Sequence, residues 1–345
     1  MSRFIEEQIQ GKENLEDRKE KLLRVFKKSV LTASELRSRK VEKRPKLLGE
    51  WLRKGDLGFI FAPRGRGKTW FSMAVAKALA IGTGAKVGVW EACEAQTVLY
   101  VDGEMSLDDT QGREIALDGD SGNRLHFLHH SVIFEDAEET LNLTDKSAQD
   151  AITATLLHLK ATVLVMDNLS SLFYGLKENE NDSWEAVLPW LLELRRRGIT
   201  IIIVHHAGTN ESRMRGATKR EDACHWVIRL DASVHGDAEE GARFCTAFTK
   251  NRNCPGKDAQ SVEFYFKPNG LHIGKVDVVC SIVDSLERFR ICIRDMKLRT
   301  ASEIAEEMSS SRGYVSKLAQ KAEKEGWCRI QDREYTFNEL GCPPF

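Results

Sequence analysis

One segment of this sequence has the composition and spacing of a phosphate-binding loop. Residues 62–69 read Ala-Pro-Arg-Gly-Arg-Gly-Lys-Thr. They follow the apolar run 57–62 and precede the segment 70–80, which is rich in helix-forming residues and contains no breaker. A strand, a glycine-rich loop and a helix in this order form the setting in which such a loop binds a nucleoside triphosphate.

Each residue type in this loop has a physical reason to be there. Gly65 and Gly67 let the backbone curl so that successive N–H groups face one anion, and the helix N-terminus adds a partial positive charge. Lys68 can then reach the β- and γ-phosphates, and Thr69 can ligate Mg²⁺. The residues expected to bind the nucleotide are Pro63, Arg64, Gly65, Arg66, Gly67, Lys68, Thr69 and Trp70.

Two further apolar runs end in carboxylates, which are the groups that hydrolysis requires. Asp167 follows Thr-Val-Leu-Val-Met and suits a Mg²⁺-associated aspartate. The run 98–101 leads into Asp-Gly-Glu-Met, where Glu104 can orient and deprotonate the water that attacks the γ-phosphate. Asp102 is the competing candidate for this general base.

A pair of histidines ends a third apolar run. His205 and His206 follow the segment 199–204, and a polar side chain at this position could contact the γ-phosphate and signal its presence to the next loop. A neutral histidine does this through hydrogen bonds, so no metal is needed there.

These motifs require a buried sheet that brings strand ends together. Continuous apolar runs separated by helical segments predict an α/β fold with a mainly parallel central sheet. An antiparallel pair is expected at 243–250 and 260–266, turning through 253–256, and a helix at 183–197. The predicted parallel strands are 57–62, 97–101, 162–166, 199–204 and 226–230.

Composition places the chain among globular proteins of the reducing cytoplasm. It has 345 residues, of which 41% are hydrophobic, and its N-terminus is charged, so neither a membrane span nor a signal peptide is expected. The eight cysteines form no CxxC pair, which favours free thiols over a zinc site.

Charge is unevenly distributed although the net charge is only −1. Residues 1–54 carry a net +7, whereas residues 55–275 carry −7. A nucleic-acid partner must therefore meet local basic features, because no broad basic face is implied. Residues 5–28 are expected to form a charged helix, either solvated or packed on a neighbouring subunit.

The C-terminal part has a different pattern. A helix at about 278–296, a second helix after Thr300, a third at about 312–325 and a hairpin around 331–334 match the layout of a winged helix. We therefore expect three parts: a charged arm and connector at 1–44, an ATPase domain at 45–275 and a winged helix at 276–345. The last could bind duplex DNA or dock a protein.

Six motifs in order give the sequence a family resemblance over about residues 45–268. APRGRGKT, VLYVDGEM, VLVMDNLSSLF, IIIVHHAG, RMRGATKREDA and FTKNRN resemble the RecA-like ATPases of the RepA/DnaB-type hexameric helicase group, especially those of plasmids and mobile elements. Ala62 departs from that pattern, in which Gly is usual, and we expect no primase or other large N-terminal domain to be attached.

The resemblance implies a fold, cofactors and site residues. It implies a RecA-like fold, Mg²⁺-dependent ATP hydrolysis, and the roles given above for Lys68, Thr69, Asp167, Glu104 and the histidine pair. Lys250 and Arg252 match a Lys-x-Arg pair that such rings insert into the neighbouring active site, which implies a homo-oligomer of six subunits. An ordinary charged surface hairpin is the alternative.

The resemblance also implies where nucleic acid would bind. The loops after the Asp167 strand and the histidine strand line the channel in such rings. The first, 172–183, is acidic, whereas the second, 208–222, carries four cations that could grip a single-stranded DNA backbone. Those four are Arg213, Arg215, Lys219 and Arg220.

Two functions are therefore expected from the sequence. The first is an ATP-driven ring helicase that translocates on single-stranded DNA during replication of a plasmid, phage or integrated element. The alternative is an ATP-switched regulator, such as a helicase loader or a mobile-element control protein, that does no unwinding.

Overall fold

The computed structural model divides into two compact units, one that ends at Lys43 and one that runs from Arg44 to Phe345. The part of the chain that the structure describes comprises residues 17–175, 184, 186–208, 214, 217–233, 235, 238–254, 259–270, 272, 274–308 and 310–339.

The first unit is helical and its described side chains are exposed. Helix α1 covers 17–29, within the predicted helix at 5–28 except for its last residue; positions 5–16 lie outside the described residues. Helix α2, Ala33–Ser38, starts at Thr32, whose side chain and that of Glu35 form a reciprocal cap.

The second unit is built on a nine-stranded sheet. The strands of this unit are β1 Lys46–Leu48, β2 Leu52–Arg53, β3 Leu57–Ala62, β4 Lys86–Val87, β5 Trp90–Glu91, β6 Val98–Asp102, β7 Leu125–His129, β8 Val163–Asp167, β9 Thr200–His206, β10 Trp226–Asp231, β11 Ala242–Asn251, β12 Ser261–Pro268, β13 Val276–Val283, β14 Cys328–Gln331 and β15 Glu334–Phe337. The order in the nine-stranded sheet is β13-β12-β11-β10-β3-β9-β8-β6-β7, and the six strands from β10 to β7 run parallel to one another.

This sheet confirms the predicted α/β fold. The five predicted parallel strands are present, and β11 and β12 pair antiparallel as expected. Strand β7 was not predicted, and it extends the parallel part at its edge. Continuous burial along β3, β6 and β8 explains why apolar runs mark these strands, because both faces of a parallel sheet are covered.

Helices cover both faces of the sheet. The helices of the second unit are α3 Lys68–Ile81, α4 Leu107–Ala116, α5 His130–Ala137, α6 Lys146–Leu159, α7 Leu169–Leu172, α8 Leu188–Arg196, α9 Ala217–Asp222, α10 Ser285–Arg294, α11 Ala301–Glu307 and α12 Arg312–Lys324. Helix α3 packs on one face through Phe71, Val75 and Leu79, whereas α6, α7 and α8 pack on the other. No helix in the described part has the length and apolarity needed to cross a membrane.

The start of the C-terminal region differs from the prediction. Residues 276–283, predicted partly as helix, form β13 and pair along their whole length with β12. The β-branched residues of this segment favour a strand, and the helix begins only at Ser285, capped by Asp284. Helices α10, α11 and α12 and the β14–β15 hairpin then enclose their own apolar core.

Candidate functional site

The phosphate-binding loop has the conformation that anion binding requires. Gly65 and Gly67 have φ values of +75° and +88°, in the left-handed region that glycine adopts without strain. A Cβ on Gly67 would also lie 2.8 Å from the ring of Phe244 on β11. This loop therefore requires glycine at Gly67 both for its backbone angle and for its packing.

Lys68 lies at the start of α3 and is held by the loop itself. Its Nζ donates to the carbonyl oxygens of Ala62, at 3.1 Å, and Pro63, at 2.8 Å. Burial lowers the pKa of Lys68 to about 8, against the opposing effect of Asp167 and Glu104. A triphosphate would give this buried cation the anionic partner that carbonyl groups do not provide.

Asp167 ends β8 in a buried polar cluster. Its Oδ2 accepts a hydrogen bond of 2.7 Å from the hydroxyl of Tyr100, which lies 2.8 Å from Ser72 Oγ, and the side chain of Thr69 also contacts it. Burial raises the pKa of Asp167 to about 6. Neither Tyr100 nor Ser72 was predicted from the sequence; for Tyr100, the available signal was a tyrosine within a buried apolar strand.

The two predicted Mg²⁺ ligands fit a divalent cation. The side-chain oxygen atoms of Thr69 and Asp167 contact each other. Oxygen is the ligand type that Mg²⁺ prefers. A cation beside Asp167 would also favour its ionised form and offset the cost of burying that charge.

Glu104 and Asp102 have different environments. Asp102 is buried, and its carboxylate accepts hydrogen bonds from the backbone N–H groups of Glu104 and Met105, both at 3.1 Å, and from Thr110 at 2.7 Å. The side chain of Glu104 is 55% exposed and so can meet a water molecule. The geometry therefore favours Glu104 over Asp102 as the base.

Asn168 connects Glu104 to the histidine strand. Its Nδ2 donates to Glu104 Oε2 and lies 3.3 Å from His206 Nε2, and His206 Nε2 is 3.8 Å from the same carboxylate oxygen. Asn168 was not predicted from the sequence, where its only signal is its position directly after Asp167. Glu104, Asn168 and His206 thus form one polar group beside the loop.

His205 does not join this group. Side chains alternate along β9, so His205 points to the opposite face of the sheet, where it is fully buried. Its Nε2 lies 3.0 Å from Arg220 Nη1, and its ring is 6.5 Å from that of Phe59. The expectation that His205 acts in catalysis does not fit this placement.

The predicted nucleic-acid residues fall into two sets. Arg213, Arg215 and the side chain of Lys219 lie outside the described residues, as does most of the acidic loop at 172–183. Arg220 is only 2% exposed and lies over the ring of Trp184 at 5.5 Å, so it does not present its charge to a DNA backbone. Burial explains this correction, because a count of cations does not distinguish inner from outer side chains.

Lys250 and Arg252 lie far from the loop of their own chain. Lys250 pairs in register with Val227, which pairs with Phe59 near the amino end of β3. At about 3.3 Å per residue, this is roughly 10 Å along the strand from Ala62. Both side chains donate to backbone carbonyls at the end of α9. They cannot complete the active site of their own chain, and their action on a neighbour stays a prediction.

An open cleft of about 650 Å³ lies beside Trp70, the residue after Thr69. The guanidinium of Arg113 lies 5.4 Å from the Trp70 ring, and Phe266 packs against it at 5.8 Å. Asp108, Asp109, Pro268 and Asn269 also line this cleft. Its position next to the loop suits the nucleoside part of a bound nucleotide.

Comparisons with known proteins gave one family match and a similarity to solved structures. A family model described as AAA domain matches residues 20–212, more than half of the chain. Among solved structures, the flagellar accessory protein FlaH from Methanocaldococcus jannaschii is similar, with 12% identity and a TM-score of 0.43 over 67% of this chain and 91% of FlaH. No curated protein matches the chain. The match and the loop show that the chain belongs to the AAA domain family of RecA-like P-loop ATPases.

Proposed function

We propose that this protein hydrolyses ATP with Glu104 as the general base. The contact of Asn168 with both Glu104 and His206 is the observation that carries the proposal. It links a half-exposed carboxylate to a polar side chain at the end of the next strand. In this arrangement Glu104 takes the proton of the attacking water, while His206 and Lys68 face the γ-phosphate.

Mg²⁺ would be held by Thr69 and Asp167 and would neutralise charge on the β- and γ-phosphates. Tyr100 fixes the Asp167 carboxylate by its hydrogen bond of 2.7 Å. We place the nucleoside in the cleft beside Trp70.

We further propose that the hydrolysis drives a ring-forming helicase on single-stranded DNA. The order of the six sequence motifs supports this, as does the position of Lys250 and Arg252 away from the active site of their own chain. In a ring these two cations would reach the nucleotide of the neighbouring subunit and stabilise the charge that develops there.

An ATP-switched regulator is the second candidate. The burial of Arg220 favours it, because one of the four cations assigned to a DNA-binding loop supports the interior instead. Such a protein would bind and release a partner without unwinding a duplex.

One experiment tests the first candidate and separates the two. ATP turnover is measured for the wild type and Lys68→Ala, with and without single-stranded DNA, together with strand displacement on a forked duplex. The motor predicts ATP turnover that DNA stimulates, duplex unwinding, and loss of both in Lys68→Ala. ATP turnover without stimulation or displacement would favour the regulator, and an inactive wild type would contradict ATP hydrolysis.

A further inference from the structure

A basic cleft lies at the amino edge of the central sheet, opposite the phosphate-binding loop. Its volume is about 540 Å³, and Arg44, Lys54, Arg195 and Arg196 line it together with His225. These residues come from the segments before β3, from the end of α8 and from the position just before β10. The fold therefore gathers four cations from distant parts of the sequence into one concave surface.

Among the described residues, Asp56 is the one carboxylate that contacts the side chains lining this cleft, and its oxygen atoms already accept other hydrogen bonds. Asp56 is fully buried, pairs with Arg44, and accepts hydrogen bonds from the backbone N–H of Arg53, at 2.8 Å, and from Asn253 Nδ2, at 2.6 Å. It therefore has little capacity left to balance the other cations. The cleft keeps a net positive charge.

Arg195 is held in place by neutral groups. Its guanidinium donates to the carbonyl oxygens of Gly55, at 3.3 Å, and Ala223, at 3.2 Å, and lies 3.2 Å from His225 Nε2. No hydrogen-bonded carboxylate faces it within the described part of the chain. Its direction is thus fixed before any ligand arrives, which lowers the entropic cost of binding.

The pKa values of His225 and Arg195 show that several positive charges lie close together in this cleft. Burial lowers the pKa of His225 to about 4, with smaller contributions in the same direction from Arg195, Arg44 and Arg252 and an opposing effect from Asp56. Burial also lowers the pKa of Arg195, with Arg44 and Arg252 adding to the shift. His225 is therefore neutral at pH 7, and the cations around it repel each other.

We propose that this cleft binds the phosphate groups of a nucleic-acid backbone. Converging arginines in a concave site match the geometry of phosphate oxygens. A polyanion would contact several of the cleft cations at once, whereas a single acidic side chain would use only part of that charge.

The site is independent of the hydrolysis proposed above. None of its residues contacts the phosphate-binding loop, Asp167 or Glu104 among the described contacts. Lys54 and Arg196 are exposed, and neither makes a hydrogen bond through its side chain in the described part of the chain. Both can be replaced without loss of a structural contact.

The test measures binding of a fluorescent oligothymidylate of about 20 nucleotides by anisotropy, without nucleotide, over a series of salt concentrations. The double variant Lys54→Ala/Arg196→Ala should bind at least about tenfold more weakly at low salt. The slope of log K against log[salt] should become smaller by about 1.4, because each phosphate contact contributes about 0.7 for single strands. The control double variant, Lys86→Ala/Lys146→Ala, removes two exposed cations elsewhere and should bind as the wild type does.

Three outcomes would overturn the proposal: a wild type that does not bind the oligonucleotide, a cleft variant that binds it unchanged, or an equal loss in the control. A polyglutamate peptide is titrated in parallel. If the cleft variant loses only the peptide, the cleft serves an acidic protein segment and the nucleic-acid proposal is wrong. ATP turnover without DNA, measured on the same samples, reports separately on the proposed hydrolysis.

Discussion

Positive and negative charges are balanced at the carboxyl edge of the central sheet, whereas positive charge is in excess at its amino edge. At the carboxyl edge, Lys68 lies in the field of Asp167 and Glu104, and each carboxylate has a hydrogen-bond donor of its own. At the amino edge, the cations of the basic cleft share one buried carboxylate, Asp56. A site with balanced charge can place and activate a reacting group, whereas a site with excess charge is suited to hold an external anion.

The largest effect that this comparison predicts concerns Glu104. Replacing Glu104 with Gln keeps the size of the side chain but removes the base, so we expect kcat for ATP to fall by about 10²–10⁴-fold with nucleotide binding retained. Steady-state turnover and binding of a fluorescent ATP analogue measure the two quantities. Asp118→Asn, which changes an exposed carboxylate elsewhere, should leave both unchanged. Near-normal turnover in Glu104→Gln would show that another group is the base.

The second prediction uses the buried charge of Asp167. Because burial raises its pKa to about 6, the folded protein keeps this proton at a higher pH than the unfolded chain does. The free energy of unfolding should therefore fall as the pH rises from about 4 through 6. We expect Asp167→Asn to exceed the wild type in stability by about 1–3 kcal/mol at pH 8 and not at pH 4.

Urea unfolding without nucleotide or Mg²⁺ at several pH values measures this difference. Asp118→Asn again serves as the control and should follow the wild type. A stability difference that does not change with pH would contradict a buried, destabilising charge at Asp167.

The third prediction separates Asp102 from its neighbour Glu104. Asp102 accepts hydrogen bonds from two backbone N–H groups and from Thr110, so Asp102→Asn should lower the free energy of unfolding by about 1–2 kcal/mol. Glu104→Gln should leave it nearly unchanged, because that side chain is half exposed. Equal stability of the two variants, measured by urea unfolding, would remove the structural role assigned to Asp102.

The smallest effect is expected at the amino edge. If the cations there repel each other, Lys54→Glu should raise the free energy of unfolding by about 0.5 kcal/mol at low salt, and the gain should disappear at about 1 M salt. Lys46→Glu is the matched control, since Lys46 already pairs with Glu50 and its reversal should be destabilising. A loss of stability in Lys54→Glu would mean that the cleft is not strained by its charge.

Much of the fold could be predicted because burial on two faces leaves a clear pattern. The apolar runs that form β3 and β8 are bounded by polar residues on either side, so the position of both strands could be predicted from composition. Strand β13 was missed because five of its eight side chains are exposed and its sequence leads directly into a helix. Its β-branched residues favour a strand, and its pairing with β12 separates it from the first turns of that helix.

The candidate site could be predicted in part for a similar reason. Glu104 and Asp167 end apolar strands, and parallel strands bring such ends together. His205 and His206 could not be separated, because both faces of β9 are covered and the sequence does not show which face carries α3. The basic cleft could not be predicted at all, since its cations lie up to about 150 positions apart and only the tertiary fold brings them together.

The direct junction between β13 and α10 has a practical consequence for shortening this chain. Val283 ends the strand, Asp284 caps the helix, and Ser285 begins it, so no spacer separates the sheet from the C-terminal helices. A truncation after residue 275 would remove the outermost strand, β13, and leave β12 as an unprotected edge, which would favour aggregation. A soluble fragment should instead end after Asp284, so that β13 is kept. Its recombinant yield would then report on how much the C-terminal helices contribute to solubility.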